Sequence, residues 1–218
     1  MGMGTFVRHR LGRFEIPAAN LYRSAFISLR SLAEQIAAVA PAGRILEVGC
    51  GDGCLAQQLS RVYPEASYLG VDIVPTAGRL YRGDPGWAQF RTMAVQDLLA
   101  EQPEPFDLVL LVDVIHHVPP EIRDEVLCCS AELVREGGHL MVKEFERNHG
   151  PYYHLTYAAD RYITGDKGVR FMTVPELVSM IDNTRLIGFG SPRGCRVRPA
   201  HNNILVDIRR ENGRPRPC

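Results

Sequence analysis

The chain has 218 residues, of which 45% are hydrophobic and 23% charged, and its 25 basic and 25 acidic side chains leave a formal net charge of zero. This length suffices for one domain with a sizeable core. No apolar run approaches the roughly 18 residues of a membrane-spanning helix. Because residues 1–13 lack an apolar signal core and the six cysteines form no metal-binding pattern, we expect a cytoplasmic protein with reduced cysteines.

Arginine is concentrated at the two ends of the chain. Residues 1–30 carry five Arg against one Glu, and residues 193–218 carry seven Arg against two acids. An arginine-rich tail can bind nucleic acid. Residues 209–218 also contain a glycine and two prolines, however, and we expect them to form a flexible tail.

Strand and helix patterns alternate along the chain. Apolar residues at helical spacing predict an amphipathic leading helix over residues 21–40. Predicted strands lie at 45–48, 68–72, 90–95, 106–112, 140–145, 186–189 and 204–208, and a predicted helix runs from 119 to the glycines at 137–138. The capping box Thr173-x-x-Glu176 predicts a further helix that ends near residue 181.

This alternation implies a parallel sheet with helices on both faces, which is a doubly wound α/β fold. The connection between the last two predicted strands is too short to hold a crossover helix, so these strands should pair antiparallel. No internal repeat or long linker interrupts the pattern. We therefore expect residues 1–218 to form a single domain around a mostly parallel, seven-stranded sheet with a C-terminal antiparallel hairpin.

The glycine-rich stretch after the first strand is the most informative segment. An apolar strand carries Glu47, and Gly49, Gly51 and Gly53 follow at alternate positions. Glycines allow a tight turn with exposed backbone, and the amides at the start of the next helix favour a negatively polarised group. The pattern predicts a nucleotide-cofactor cradle, with a purely structural turn as the alternative. Cys54 stands where the dinucleotide fingerprint requires glycine, which disfavours a nicotinamide cofactor and hence an oxidoreductase.

Asp72 ends the second strand, 19 residues after Gly53. A carboxylate at this place can accept hydrogen bonds from both ribose hydroxyls, and Ile73 would then pack against an adenine face. The alternative role of Asp72 is to cap a following helix. Because NAD enzymes also carry an acid here, Asp72 indicates nucleoside binding without selecting the cofactor.

A second informative segment covers residues 106–119, where an apolar strand leads into a D-x-x-H-H pattern at 113–117. Together with E-x-G-x-G-x-G, it resembles the motifs of class I S-adenosylmethionine-dependent methyltransferases of the small-molecule type. The turn Arg135–Gly138 matches that family as well, and the resemblance covers roughly residues 40–145. It implies the Rossmann-like fold of class I methyltransferases, S-adenosylmethionine as cofactor and S-adenosylhomocysteine as product.

The resemblance also implies particular cofactor contacts. Asp97 would accept from the adenine amino group while the backbone N–H of Leu98 meets a ring nitrogen, although Asp is equally frequent in caps and turns. Backbone carbonyls near Gly49 and Val112 would accept from the methionine ammonium. Arg23, at the start of the leading helix, would pair with the cofactor carboxylate, with a solvated first-turn charge as the alternative.

We expect the methyl acceptor between the central strand and residues 146–171, a long aromatic segment predicted to be a substrate lid, with a packed surface helix as the alternative. His116, His117 and His154 are candidate proton acceptors because histidine titrates near neutral pH. Glu144 is a weaker candidate. The adjacent side chains of His116 and His117 diverge, so one should enter the site while the other caps the helix at Pro119 or packs beneath it. The alternative is that both have such a structural role.

These patterns predict a methyltransferase that acts on a small molecule, such as a natural product or another secondary metabolite, by in-line transfer. No Asn/Asp-Pro-Pro-Tyr/Phe motif follows the fourth predicted strand and no Asp/Asp/Asn metal set is evident, so we expect neither a nucleic-acid partner nor a metal. Two alternatives remain open, namely an RNA methyltransferase with a basic patch around Arg8, Arg10 and Arg13, and a cofactor-binding protein without transfer. The sequence does not select oxygen, nitrogen or carbon as the methylated atom.

Overall fold

The structure is a computed structural model that describes residues 28–148, 150, 154, 170–184, 186, 188–197 and 202–211. The predictions for the start of the leading helix, for most of the lid and for the end of the tail lie outside the described residues. The single-domain prediction stays a prediction.

One seven-stranded sheet organises the described residues. Its strands are β1 (Arg44–Val48), β2 (Ser67–Asp72), β3 (Ala88–Thr92), β4 (Phe106–Val112), β5 (Val134–Phe145), β6 (Arg193–Arg196) and β7 (Asn203–Arg209). The spatial order is β3-β2-β1-β4-β5-β7-β6. Neighbours among β1 to β5 pair in parallel, and β7 pairs antiparallel with both β5 and β6. The predicted mixed sheet with antiparallel C-terminal strands is confirmed.

Five α-helices of the described residues cover both faces of this sheet. They are α1 (Leu29–Val39), α2 (Ala56–Val62), α3 (Val95–Ala100), α4 (Arg123–Glu132) and α5 (Val174–Asn183). Leu32 of α1 and Leu59 of α2 belong to the buried cluster on one face, and Leu98 of α3 and Leu177 of α5 to that on the other. Among the described residues, no helix is long and apolar enough to span a bilayer.

Strand β4 lies in the middle of the sheet and is apolar on both faces for that reason. Leu108 and Leu110 join the cluster under α1 and α2, while Val109 and Leu111 join the cluster under α3 to α5, and all four are fully buried. The predicted bounds of this strand, 106–112, are confirmed.

Other predicted boundaries shift. The third strand occupies Ala88–Thr92 rather than 90–95, because Val95 already begins α3. Helix α4 ends at Glu132 and not at the glycine pair. The capping box of α5 is confirmed, with Thr173 Oγ1 accepting from the Glu176 N–H and the Glu176 carboxylate accepting from the Thr173 N–H.

The glycine pair instead lies inside β5. Two successive pairs of the β4–β5 ladder are separated by two residues in β4 but by five in β5. Gly137 has a φ of 74°, and a Cβ on Gly138 would lie 2.8 Å from the carbonyl oxygen of Asp107. The two glycines therefore accommodate the extra residues of β5 next to a neighbouring backbone.

The prediction of a strand at 186–189 is wrong. Phe189 makes only an isolated bridge to Arg210, and the strand that pairs with β7 is β6. All four residues of β6 are exposed, so this edge strand has no apolar alternation that a sequence pattern could show. Leu186 and Phe189 are apolar because they pack into the core from a loop.

The cysteines only partly meet the expectation of reduced thiols. Cys50, Cys54, Cys129 and Cys195 form no disulfide bond. Cys128 is disulfide-bonded, so the expectation is wrong at that position.

Candidate functional site

A cavity of about 570 Å³ lies across the carboxyl ends of β1 to β4. Its wall combines the glycine turn after β1 with Asp72 at the end of β2, Gln96 beyond β3, and Asp113 and His117 after β4. From β1 the chain adds β2 and β3 toward one edge of the sheet, and from β4 it adds β5 toward the other edge. Open α/β sheets bind ligands at such a switch point in strand order. The fold therefore places the sequence motifs around one crevice.

The glycine turn leaves open space at one point of this wall. Gly49, Gly51 and Gly53 all have positive φ, at 74°, 51° and 79°. A Cβ on Gly51 would meet no atom within 4 Å, whereas a Cβ on Gly49 would collide with the side chain of Val114. A Cβ on Gly53 would approach the ring of Phe90 at 3.1 Å. Gly49 and Gly51 line the cavity, and Gly53 is instead a packing position away from it.

Asp72 fixes the shape of this turn. One carboxylate oxygen accepts from the Gly51 N–H at 2.7 Å and the other from the Val74 N–H at 3.0 Å. The alternative of a helix cap is wrong, because the residues that follow β2 form turns. Each oxygen keeps a further lone pair for a ligand hydroxyl. Ile73 is 77% exposed beside Asp72 and forms part of the cavity rim.

Glu47 contacts a buried side chain of the neighbouring strand and not the cavity. Its side chain is buried, and one oxygen accepts from the Tyr68 hydroxyl at 2.5 Å. Burial, together with the negative charge of Glu47, raises the pKa of Tyr68. Glu47 is not among the residues at the cavity wall, so the structure does not bring this predicted cofactor residue to the crevice.

The two residues that the resemblance assigns to adenine binding do not line the cavity either. Asp97 is exposed in the first turn of α3, and Leu98 is buried in the core. Neither lines the cavity, where the preceding Gln96 is found. Val112 is half-buried at the end of β4 and does not line the cavity, whereas the next residue, Asp113, does. Arg23 lies outside the described residues.

Glu144 holds the loop after β4 from beneath. Its side chain is 2% exposed, and one oxygen accepts from the backbone N–H groups of Val114 at 3.2 Å and Ile115 at 2.7 Å. The other oxygen contacts Nδ1 of His116, which is equally buried. Burial acts to raise the pKa of Glu144, but His116 and the backbone donor outweigh it and the pKa is lowered. The prediction that Glu144 faces the acceptor as a base is wrong.

One of the two adjacent histidines lines the cavity, as predicted, but their rings are in contact rather than diverging. His116 points inward to Glu144 and is 1% exposed, so it is not at the cavity wall. His117 is exposed and lines the cavity, with its ring centroid 4.1 Å from that of His116. His154 is exposed and is not among the lining residues. Of the predicted bases, His117 alone is a lining residue within the part of the chain that the structure describes.

The sequence patterns missed the partnership between Asp113 and Lys143. Nζ of Lys143 lies 2.6 Å and 2.8 Å from the two carboxylate oxygens of Asp113. The Lys143 side chain is fully buried, and that of Asp113 is 25% exposed at the cavity. The D-x-x-H-H pattern contains Asp113, but nothing local connects it with a lysine 30 positions away.

Asp113, His116 and Glu144 bring their ligand atoms within 4.8 Å of one another, a spacing that a metal ion could use. Their atoms are already engaged by an ammonium, by backbone N–H groups and by each other. The Lys143 ammonium on the same carboxylate opposes a second cation. We interpret the group as a hydrogen-bonded cluster, and the expectation of no metal stays a prediction.

Comparisons with known proteins agree with this geometry. A family model described as a methyltransferase domain matches residues 46–140. The ubiquinone biosynthesis O-methyltransferase of Xylella fastidiosa (strain M23) is 37% identical over 108 residues, which are 48% of this chain and 42% of that protein. The chain thus spans less than half the length of this curated relative.

Two solved structures share the fold. Human N-acetylserotonin methyltransferase in complex with S-adenosylmethionine superposes with a TM-score of 0.65 at 15% identity, covering 91% of this chain and 53% of that one. The 1,6-didemethyltoxoflavin-N1-methyltransferase of Burkholderia thailandensis, with S-adenosylhomocysteine bound, gives a TM-score of 0.61 at 19% identity, covering 94% and 88%. Fold and crevice thus define a class I methyltransferase architecture. Residues 46–140 are thus similar to a methyltransferase domain, and the fold is similar to that of S-adenosylmethionine-dependent methyltransferases.

Proposed function

We propose that this protein transfers the methyl group of S-adenosylmethionine to a small-molecule acceptor. The observation that carries the proposal is the crevice itself, in which an open glycine position and Asp72 lie at one side and His117 lies after the neighbouring strand. The names of the relatives, which are O- and N-methyltransferases of small molecules, support the same conclusion. The absence of a nucleic-acid partner and a cytoplasmic location stay predictions from the sequence.

The residues of the crevice fit S-adenosylmethionine in one orientation. The free lone pairs of Asp72 suit ribose hydroxyls, and Ile73 and Gln96 lie on the side where the adenine would rest. The open space at Gly51 admits backbone contact with the ligand. The amino-acid end would then lie over Gly49, close to the loop that follows β4. Bound S-adenosylmethionine supplies an electrophilic methyl group on a sulfonium.

The protein's own contribution is alignment and proton removal. The acceptor is held so that its lone pair faces the methyl carbon in line with the carbon–sulfur bond, which breaks with its electron pair left on sulfur. His117 takes the proton of the acceptor O–H or N–H, since it is the predicted base that lines the cavity. The relatives' names include both oxygen and nitrogen acceptors, and we propose a protic acceptor without choosing between them.

Titration calorimetry tests the cofactor. The full chain should bind S-adenosylmethionine and S-adenosylhomocysteine but not NAD. Gly51→Val should abolish this binding, because its side chain fills the open space of the turn. Gly194→Val controls for a side chain added in open space, since a Cβ there also meets no atom but lies in the exposed strand β6. Gly137→Val controls for the strain of a positive φ, since Gly137 has a φ of 74° and lies away from the cavity wall. Circular dichroism must show that all three variants are folded.

An acceptor panel tests the transfer itself. Incubation with methyl-labelled cofactor should label one or more phenols, alcohols or amines, and a structured RNA should stay unlabelled. Labelling of the RNA alone would favour the RNA methyltransferase. Tight cofactor binding without transfer to any acceptor would favour the cofactor-binding protein and refute the proposal.

A further inference from the structure

A buried ion pair lies directly behind the wall of the cavity. Lys143 is fully buried near the carboxyl end of β5, and its ammonium contacts both oxygens of Asp113. The same ammonium lies 3.7 Å from the ring centroid of Phe145. Burying a lysine costs several kcal/mol unless it is paired. This arrangement holds the Asp113 carboxylate in one orientation.

The backbone also holds Asp113 at the wall. Its φ is 57°, a left-handed conformation that Asp tolerates better than most residues. Its N–H donates to the carbonyl oxygen of Lys143 at 2.9 Å, so the same residue fixes both its backbone and its side chain. The next residue, Val114, packs where Gly49 has no side chain. Asp113 therefore lies one residue before the contact with Gly49 and lines the same cavity as that glycine, at the end of the crevice assigned to the reacting methyl group.

We propose that Asp113, positioned by Lys143, accepts a hydrogen bond from the hydroxyl or amino group that becomes methylated. The inference rests on the proposed function and deepens it, because it assigns a subsite for a protic acceptor. Each Asp113 oxygen has a lone pair left after its contact with Lys143. A hydrogen bond at this point turns the acceptor's own lone pair toward the methyl carbon. An amine keeps a second N–H, whose proton His117 from the same loop takes, whereas a hydroxyl has one proton, which moves to Asp113 and from there to His117.

Charge favours the acceptor over the cofactor's ammonium as the partner of Asp113. The ion pair is neutral as a whole, so a second cation would gain attraction from Asp113 and lose much of it to Lys143. A neutral O–H or N–H donor suffers no such repulsion. Backbone carbonyls near Gly49 and Val112 are the expected partners of the ammonium.

The test removes the pair without leaving a buried charge alone. Asp113→Asn alone strands the Lys143 ammonium, so the main variant is Asp113→Asn combined with Lys143→Met. In this double variant, kcat/KM for the acceptor should fall about 10- to 100-fold, the loss of a hydrogen bond to a charged group. The dissociation constant for S-adenosylhomocysteine should stay at the wild-type value. Lys143→Met alone should raise the acceptor KM more than it lowers kcat, since Asp113 remains but is no longer held.

The matched control is the hydrogen-bonded pair of His139 and Asp207, which joins β5 to β7 with 2.8 Å between Nδ1 and Oδ1 and lies away from the cavity wall. Its double variant, His139→Gln with Asp207→Asn, should keep both constants. Equal losses of cofactor affinity and acceptor kcat/KM in the Asp113 variant would assign Asp113 to the cofactor or to the loop and overturn the inference. Unchanged acceptor kcat/KM would overturn it as well. If the wild-type protein methylates no acceptor, the proposed function is refuted. The inference is then refuted as well, because it rests on that function.

Discussion

Replacing Glu144 by Gln should destabilise the protein strongly although it adds or removes no bulk. The carboxylate accepts from two backbone N–H groups and from His116, all in a place that water does not reach. The NH₂ group of the Gln amide would face one of these hydrogen-bond donors, where no acceptor is available to it. His116 would also lose its charged partner. Breaking a buried ion pair by removing one partner costs about 3–5 kcal/mol. We expect a loss of this size in the free energy of unfolding.

Urea unfolding followed by circular dichroism measures this loss, and the slope of the transition should not change. Glu101→Gln is the control, because Glu101 pairs with Arg91 on the surface and its replacement should leave the midpoint nearly unchanged. The pKa of Glu144 lies below its ordinary value of 4.5. Its stabilising contribution is therefore present above about pH 4.5 and lost as the pH falls through the folded-state pKa, so wild type and variant should converge in acid. A loss below about 1 kcal/mol at neutral pH would refute this account of the loop.

Three further predictions concern the crevice. Asp72→Ala should weaken S-adenosylhomocysteine binding by about 1.5–3 kcal/mol in calorimetry, and an unchanged affinity would exclude its ribose role. His117→Gln should lower kcat by about 10²–10⁴-fold with cofactor affinity retained, whereas His154→Gln should keep near-native turnover; near-native turnover in both would leave alignment alone as the mechanism. Deleting residues 1–25 should raise the cofactor dissociation constant if Arg23 covers the methionine end, and equal affinities would assign this segment no role in binding.

The sequence predicted the parts of the fold that depend on local pattern. The apolar run of β4, the capping box of α5 and the glycine turn each carry their signal within a few residues, and each lies where it was expected. Strand β6 was missed because an exposed edge strand needs no apolar face. Its partner β7, which is buried on both sides, was found.

The site was harder to predict because its key contacts join residues far apart in the chain. Asp113 follows the end of β4, and Glu144 lies near the end of β5. Only the β4–β5 register shows that Asp113 contacts Lys143, 30 positions away, and that Glu144 contacts His116, 28 positions away. Gly53 belongs to a recognisable motif, yet its φ of 79°, the backbone of Gly78 and the ring of Phe90 account for the glycine at this position. A motif thus locates the crevice without stating which of its members face the ligand.

The irregular start of β5 has a consequence for insertions and deletions. Side chains of a strand alternate between faces, so Lys143 and Glu144 reach the loop after β4 from opposite sides of the sheet. A residue lost between His139 and Lys143 would shift the register by one, so that Glu144 would take the place of Lys143 and Phe145 the place of Glu144. A length change near Gly137, ahead of the regular ladder, would be taken up by the extra residues already accommodated there. Natural variants of this protein should therefore differ in length before residue 139 and hold a constant length from there to residue 144.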